Sequence, residues 1–168
     1  MITNITLSTK EQYLLQDHKT HEEQCILKYD NYANLATDEQ LKAVFRSNSA
    51  VEKKHLEIIN QLLNGKVPSM GGQSNQSSQQ SSKTQQSMPS SQQSSVDLSN
   101  HKCFKASDKE MCIDMLNTEK YVSGVYDTSI FEFKNAQIRD VLNHIQKEEQ
   151  KHGEAIYAYM ESKGMYSS

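Results

Sequence analysis

A lone glutamate followed 30 residues later by Glu-x-x-His occurs twice in this chain. The first copy is Glu22 with Glu52-Lys53-Lys54-His55, and the second is Glu119 with Glu149-Gln150-Lys151-His152, displaced by 97 residues. Glu and His three positions apart share one face of a helix, one turn from each other. Glutamate is rarely buried unless it is paired or coordinates a cation, and each of these four lies in the middle of an otherwise apolar stripe. A fold that satisfies both copies together collects four carboxylates and two imidazoles in one core. Four facing helices hold two metal ions with such a donor set.

The stripes define the helices. Leu15, His18, Glu22, Ile26, Tyr29 and Ala33 recur at steps of three and four, as do Leu41, Val44, Asn48, Glu52, His55, Ile59 and Leu62. Between them Thr37-Asp38-Glu39-Gln40 reads as a break with a capping box, Thr37 as the cap, and Asn64-Gly65 stops the second helix. In the second block Cys112, Met115, Glu119, Val122, Tyr126, Ile130 and Phe133 form one stripe. Ile138, Val141, Ile145, Glu149, His152, Ile156 and Tyr159 form the next, with the turn at Lys134-Asn135, Asn135 as cap and Gly164 at the end. The repeat extends beyond the motifs, since Tyr29-Asp30 maps onto Tyr126-Asp127 and Val44 onto Val141.

Height along the helices follows from counting. The bend near Thr37 is 15 residues from both Glu22 and Glu52, and the bend near Lys134 is 15 from both Glu119 and Glu149. At ~1.5 Å per residue each carboxylate stands about 22 Å from its bend, so antiparallel packing sets the pair level. The expected fold is therefore all-α, a four-helix bundle of two repeated hairpins, 9–65 and 106–164. A single-chain bundle and a homo-oligomer that swaps hairpins both satisfy the pattern.

Residues 66–105 join the hairpins, and from about Met70 to Asn100 they are nearly all Ser and Gln. A segment so poor in apolar residues cannot offset its ordering entropy and is expected to be a disordered crossover linker. A sticky segment that assembles or cross-links the protein is the other reading. Setting it aside also resolves an apolar content, 35%, that is low for a compact domain of 168 residues.

Eighteen basic against 21 acidic residues give no electrostatic basis for nucleic-acid binding. No stretch approaches the ~18 apolar residues of a membrane span, and the first residues lack the features of a signal peptide, so synthesis into the cytosol is expected. Cys25, Cys103 and Cys112 suggest no disulfide framework, and Cys25 and Cys112 read as small apolar groups on helices.

The candidate ligands are Glu22, Glu52, His55, Glu119, Glu149 and His152. Each Glu-x-x-His offers one ion an oxygen and a nitrogen, the motif glutamate can also bridge, and Glu22 and Glu119 are terminal carboxylates. An oxygen-rich site with two imidazoles suits iron or manganese, with zinc a further occupant in isolated protein. The opposing reading is exposed charge or a metal-free carboxylate–histidine network. Glu23 and Glu148 are neighbouring rivals that the stripes disfavour. Tyr29 and Tyr126 either line the metal site or supply a redox-active phenol there, or fill the core as aromatics. Asp30 and Asp127 either hydrogen-bond the outer histidine nitrogens or are surface charges. His18 faces the core; His21, His101 and His144 are expected in solvent.

The six positions resemble the ferritin-like superfamily of carboxylate-bridged dimetal proteins, whose pattern is Glu, Glu-x-x-His, Glu, Glu-x-x-His. In the second block, Asn117-Thr118-Glu119-Lys120-Tyr121, Asp140-Val141-Leu142-Asn143-His144-Ile145 and the ending Tyr159 to Tyr166 with its Gly-x-Tyr are similar to the Coat F family of bacterial spore coat proteins. That resemblance runs from about Ser107 to Tyr166. It implies a ferritin-like bundle, a place in the spore coat and other coat proteins as partners. It does not imply catalysis, because Coat F members can lack the metal-binding residues; this chain keeps the full set. The leading expectation is a spore coat protein with a dinuclear iron or manganese site, redox-active toward a small oxidant such as peroxide or dioxygen. The alternatives are a purely structural coat component and a soluble cytosolic dimetal oxidoreductase, manganese-catalase-like or rubrerythrin-like. With no Cys-x-x-Cys pairs, the rubrerythrin-like version needs an external electron donor.

Overall fold

The computed structural model describes residues 3–68 and 106–166. In chain order these form β1 (Thr3–Asn4), α1 (Thr9–Leu35), α2 (Glu39–Leu63), β2 (Lys66–Val67), α3 (Asp108–Ile130) and α4 (Ala136–Ser162). The Ser/Gln-rich stretch expected to be disordered, with His101 and Cys103, lies outside the described residues. At its start, Lys66–Val67 form a strand paired antiparallel with Thr3–Asn4.

Local chemistry sets the helix ends. Ser8 caps α1 and Ser107 caps α3, each in a full capping box, with Glu11 and Glu110 at the third position. Asn135 caps α4 as expected, accepting from the N–H groups of Gln137 and Ile138. The cap of α2 is Asp38 and not Thr37: the Asp38 carboxylate accepts from Gln40 N at 2.7 Å. Thr37 is instead held by Asp108, which accepts from the Thr37 backbone N–H and hydroxyl, both at 2.8 Å. At the end of α4 the N–H of Met165 reaches the carbonyl of Met160 at 2.8 Å, with Gly164 at φ +64° completing the stop. Gly65, at φ +70°, ends the first hairpin where a Cβ would lie 2.8 Å from the carbonyl oxygen of Ile5, so only glycine fits.

The four helices pack as a closed ring of neighbours: α1 on α2, α3 on α4, α1 on α3 and α2 on α4. Two polar grips set the directions. Asp108, at the start of α3, binds the α1–α2 bend, and Glu11, in the first turn of α1, accepts from the N–H of Lys134 in the α3–α4 bend at 3.0 Å. Thus α1 and α3 run antiparallel. The first hairpin's chain ends beside the start of α1, where Ile5 N donates to Gly65 O at 2.8 Å, whereas α3 begins at the opposite end.

Burial follows the stripes with shifts of one position. Cys25 is buried and Ile26 only partly; Phe45 is buried and Val44 only partly. Helix α3 stops at Ile130, so Phe133 reaches the core from the bend. Cys25 and Cys112 are buried free thiols. Two apolar clusters result. One holds Leu15, Ile59, Val122, Tyr126, Ile138 and Ile145; the other holds Tyr29, Leu41, Phe45, Met115, Ile156 and Tyr159. A buried polar layer lies between them.

Candidate metal centre

That layer is built from all four helices: Glu22 from α1, Glu52 and His55 from α2, Glu119 from α3, and Glu149 and His152 from α4. Each is at most 4% exposed. Their donor atoms form two overlapping groups able to hold a cation, Glu22–Glu52–His55–Glu149 and Glu52–Glu119–Glu149–His152, each within 4.8 Å. Glu52 and Glu149 belong to both groups. Glu22 with His55 and Glu119 with His152 stand at the two outer ends.

The contacts cross between hairpins. His55 Nδ1 lies 3.0 Å from Glu52, 3.0 Å from Glu149 and 3.7 Å from Glu22. His152 Nδ1 lies 3.2 Å from Glu52, 3.4 Å from Glu149 and 3.7 Å from Glu119. The rings are 5.7 Å apart at 30°. Close approach is not the same as bonding. His152 Nδ1, both oxygens of Glu149 and one oxygen each of Glu22, Glu52 and Glu119 have no aligned hydrogen-bond partner. Buried groups left so incomplete are costly, and their inward lone pairs are what a cation would satisfy. The donor set therefore fits metal.

Charge leads to the same fit. Burial raises the carboxyl of Glu22 well above the ordinary range, and raises that of Glu119 to about 8. Burial alone would also raise Glu52, but the imidazoles of His152 and His55, 3.2 and 3.0 Å from its oxygens, outweigh it and hold the group at about 2. For the histidines burial opposes protonation, yet the surrounding carboxylates raise His55 to about 11 and His152 to about 12. The groups alone thus balance charge by sharing protons. Two divalent cations would match four ionised carboxylates and leave both imidazoles neutral, as metal binding requires.

Each tyrosine serves the opposite hairpin. Tyr29 OH donates to Glu119, and Tyr126 OH donates to Glu22. The antiparallel run of α1 and α3 explains this pairing. Side chains lean toward their own helix N-terminus, so Tyr29, two turns past Glu22, reaches back while Glu119 reaches toward it. Beyond the phenols the halves differ. Asn48 Nδ2 donates to the Tyr29 oxygen at 3.1 Å, whereas His18 stacks on Tyr126 with centroids 4.0 Å apart.

Asp30 and Asp127 do not reach the histidines. One position past the tyrosines, they are turned about 100° around the helix. Asp30 binds Ser49 at 2.5 Å and Lys53 at 3.0 Å, and Asp127 is exposed. His55 Nε2 and His152 Nε2 have no hydrogen-bond partner. Glu23 is exposed, and Glu148 pairs with Lys151 at 2.6 Å outside the cluster. His21 is only partly in solvent; its Nδ1 is buried without a partner, and its ring meets Tyr121 edge-on. Asn48 was legible as an uncharged polar residue within the α2 stripe. The stacking of His18 left no local signal.

Among the described residues, four helices with one short strand pair beside them and the cluster together define a helical protein with a buried carboxylate–imidazole centre. Residues 107–168, spanning α3 and α4 and thus Glu119, Glu149 and His152, match the Coat F domain. The comparisons with curated proteins and with solved structures give no match. No described helix is long and apolar enough to cross a membrane.

Proposed function

We propose that this chain is a spore coat protein whose helices form a ferritin-like bundle holding two iron or manganese ions, acting in redox chemistry on a small oxidant. The observation that carries the metal reading is the convergence of six buried ligand side chains from four helices. The Coat F match over 107–168 carries the coat reading, including other coat proteins as partners. The ferritin-like arrangement is favoured by connectivity. The first hairpin's chain ends beside the start of α1 and α3 starts at the far end, so residues 69–105 join opposite ends of a bundle about 40 Å long, as one long crossover does.

In this reading Glu52 and Glu149, common to both donor groups, would be shared between the ions, Glu22 and His55 would help to hold one, and Glu119 and His152 the other. Bound there, the metals would supply one-electron chemistry toward peroxide or dioxygen. The chain's own groups orient and insulate. Tyr126 and Tyr29 hold the terminal carboxylates by their hydroxyl protons, and the apolar clusters on either side close the layer off along the bundle axis. A structural coat protein without turnover rests on the same family match; redox turnover of peroxide or dioxygen by the metal-loaded chain separates the two readings.

Metal content after anaerobic loading with Fe(II) or Mn(II) tests the assignment. About two ions per chain are expected in the wild type and in Glu148→Ala, with loss in Glu52→Ala and Glu149→Ala. Equal metal in all four proteins would sink the ligand assignment. Detection in extracted spore coats tests the location.

A further inference from the structure

A cavity of about 420 Å³ lies between α3 and α4, lined by Leu116 and Gly153 among others. Of its lining residues Leu116, Glu119 and Glu149 are buried, and Tyr157 and Tyr166 are exposed and form its rim. Two other hollows among the described residues touch none of the six cluster residues. We propose that this cavity binds a neutral organic ligand carrying one aromatic ring and presents it to Glu119 and Glu149. The inference deepens the metal reading and rests on it for what the bound ligand would meet.

Size comes first. The volume lies in the roughly 300–1,000 Å³ range of pockets for organic ligands. It is about fourteen times the ~30 Å³ share of a water molecule, so a diatomic or peroxide alone would leave it largely unfilled. Gly153 helps to make the room. A Cβ there would meet only the Leu116 Cδ2 atom, at 3.9 Å, so α4 presents bare backbone to the cavity beside His152.

Chemistry then narrows the ligand. The lining is mainly apolar surface, against which a charged molecule would lose its hydration. The lining also holds one lysine and one further glutamate, Lys120 and Glu154, of opposite charge. The rim selects for a ring. Tyr157 and Tyr166 meet edge to face, centroids 5.0 Å apart at 71°, and both are partly exposed, at 37% and 44%. This arrangement accepts a third ring by the same geometry. Tyr166 comes two residues after the Gly164 stop, so the chain turning at the end of α4 brings it to the cavity lining.

The test uses p-cresol as probe and the full metal-loaded chain, with binding read by ligand-observed and tyrosine-detected NMR. Saturable binding is expected, weakened at least tenfold in Gly153→Leu, which fills the cavity, and weakened also in Tyr157→Ala, which removes half the rim. Gly124→Leu in α3, where a Cβ meets nothing within 4 Å, should bind as the wild type. Absence of p-cresol binding, equal binding in Gly153→Leu and Tyr157→Ala, or equally tight binding of benzoate would overturn the proposal. Metal content is measured on the same samples. Two ions per chain without p-cresol binding refute the cavity inference alone. Site-specific p-cresol binding by a chain that takes up no metal supports the cavity and refutes the metal reading.

Discussion

Replacing His18 with phenylalanine should flatten the dependence of stability on pH. His18 is fully buried, neither ring nitrogen has a hydrogen-bond partner, and its ring lies on Tyr126 at 14°. Burial, and then the neighbouring His21, push its pKa down from 6.5 to about 3. The unfolded chain therefore takes up a proton below about pH 6.5 that the folded chain refuses. Stability is undiminished above that pH and falls as pH drops toward 3. At about 1.4 kcal/mol per pH unit, the loss between pH 6.5 and pH 5 is about 2 kcal/mol. Phenylalanine keeps the stacked ring and removes the titration. Urea unfolding at pH 7.5 and pH 5, with chelator present, measures the effect. The wild type should lose about 2 kcal/mol more than the variant between the two conditions. Any change in packing shifts both values of the variant together and cancels. Identical pH dependence in the two proteins would refute the reasoning, because it would mean that folded His18 accepts its proton readily. Metal content should be unaffected, since His18 lies outside both ligand groups.

The tyrosine pairing predicts that Tyr126→Phe, which frees Glu22, loses metal roughly 10–100-fold more readily in chelator competition. Tyr29→Phe should do the same through Glu119, and unchanged retention in both would show that the phenols do not position the carboxylates. The two grips at opposite ends predict destabilisation by Asp108→Ala and by Glu11→Ala, each by about 1–3 kcal/mol. Their sum should hold in the double variant because the sites are far apart. Burial would raise both carboxyls, but the N–H groups they accept from hold them below the usual range. Their contributions are therefore present above about pH 4 and disappear as pH falls through the lowered values. Acid titration of unfolding should show that limb shrinking in each variant.

The features legible in the sequence depend on short-range spacing. Helical stripes place Glu22, Glu52, Glu119 and Glu149 inward, and equal distances to the bends put them level, so the collection of the six ligand candidates could be read from numbering. Errors of one position, Val44 for Phe45 and Ile26 for Cys25, arise where two adjacent apolar residues flank the buried line. Thr37 lost the cap to Asp38 because Asp108 claimed its hydroxyl, a contact between hairpins that no local rule contains. The exchange of tyrosines and carboxylates between hairpins was equally hidden, since it depends on α1 facing α3 in antiparallel. Asp30 and Asp127 share the repeat with the tyrosines, but a repeat in sequence does not make a residue face inward.

The most direct test is X-ray absorption at the metal edge of the iron- or manganese-loaded protein. Oxygen and nitrogen neighbours are expected, together with a metal–metal signal at roughly 3.5–4 Å, as for two ions sharing carboxylates. That signal should be absent in Glu52→Ala and Glu149→Ala and present in Glu148→Ala. A single isolated ion, or a metal–metal signal that survives the loss of Glu52, would contradict the two-ion assignment.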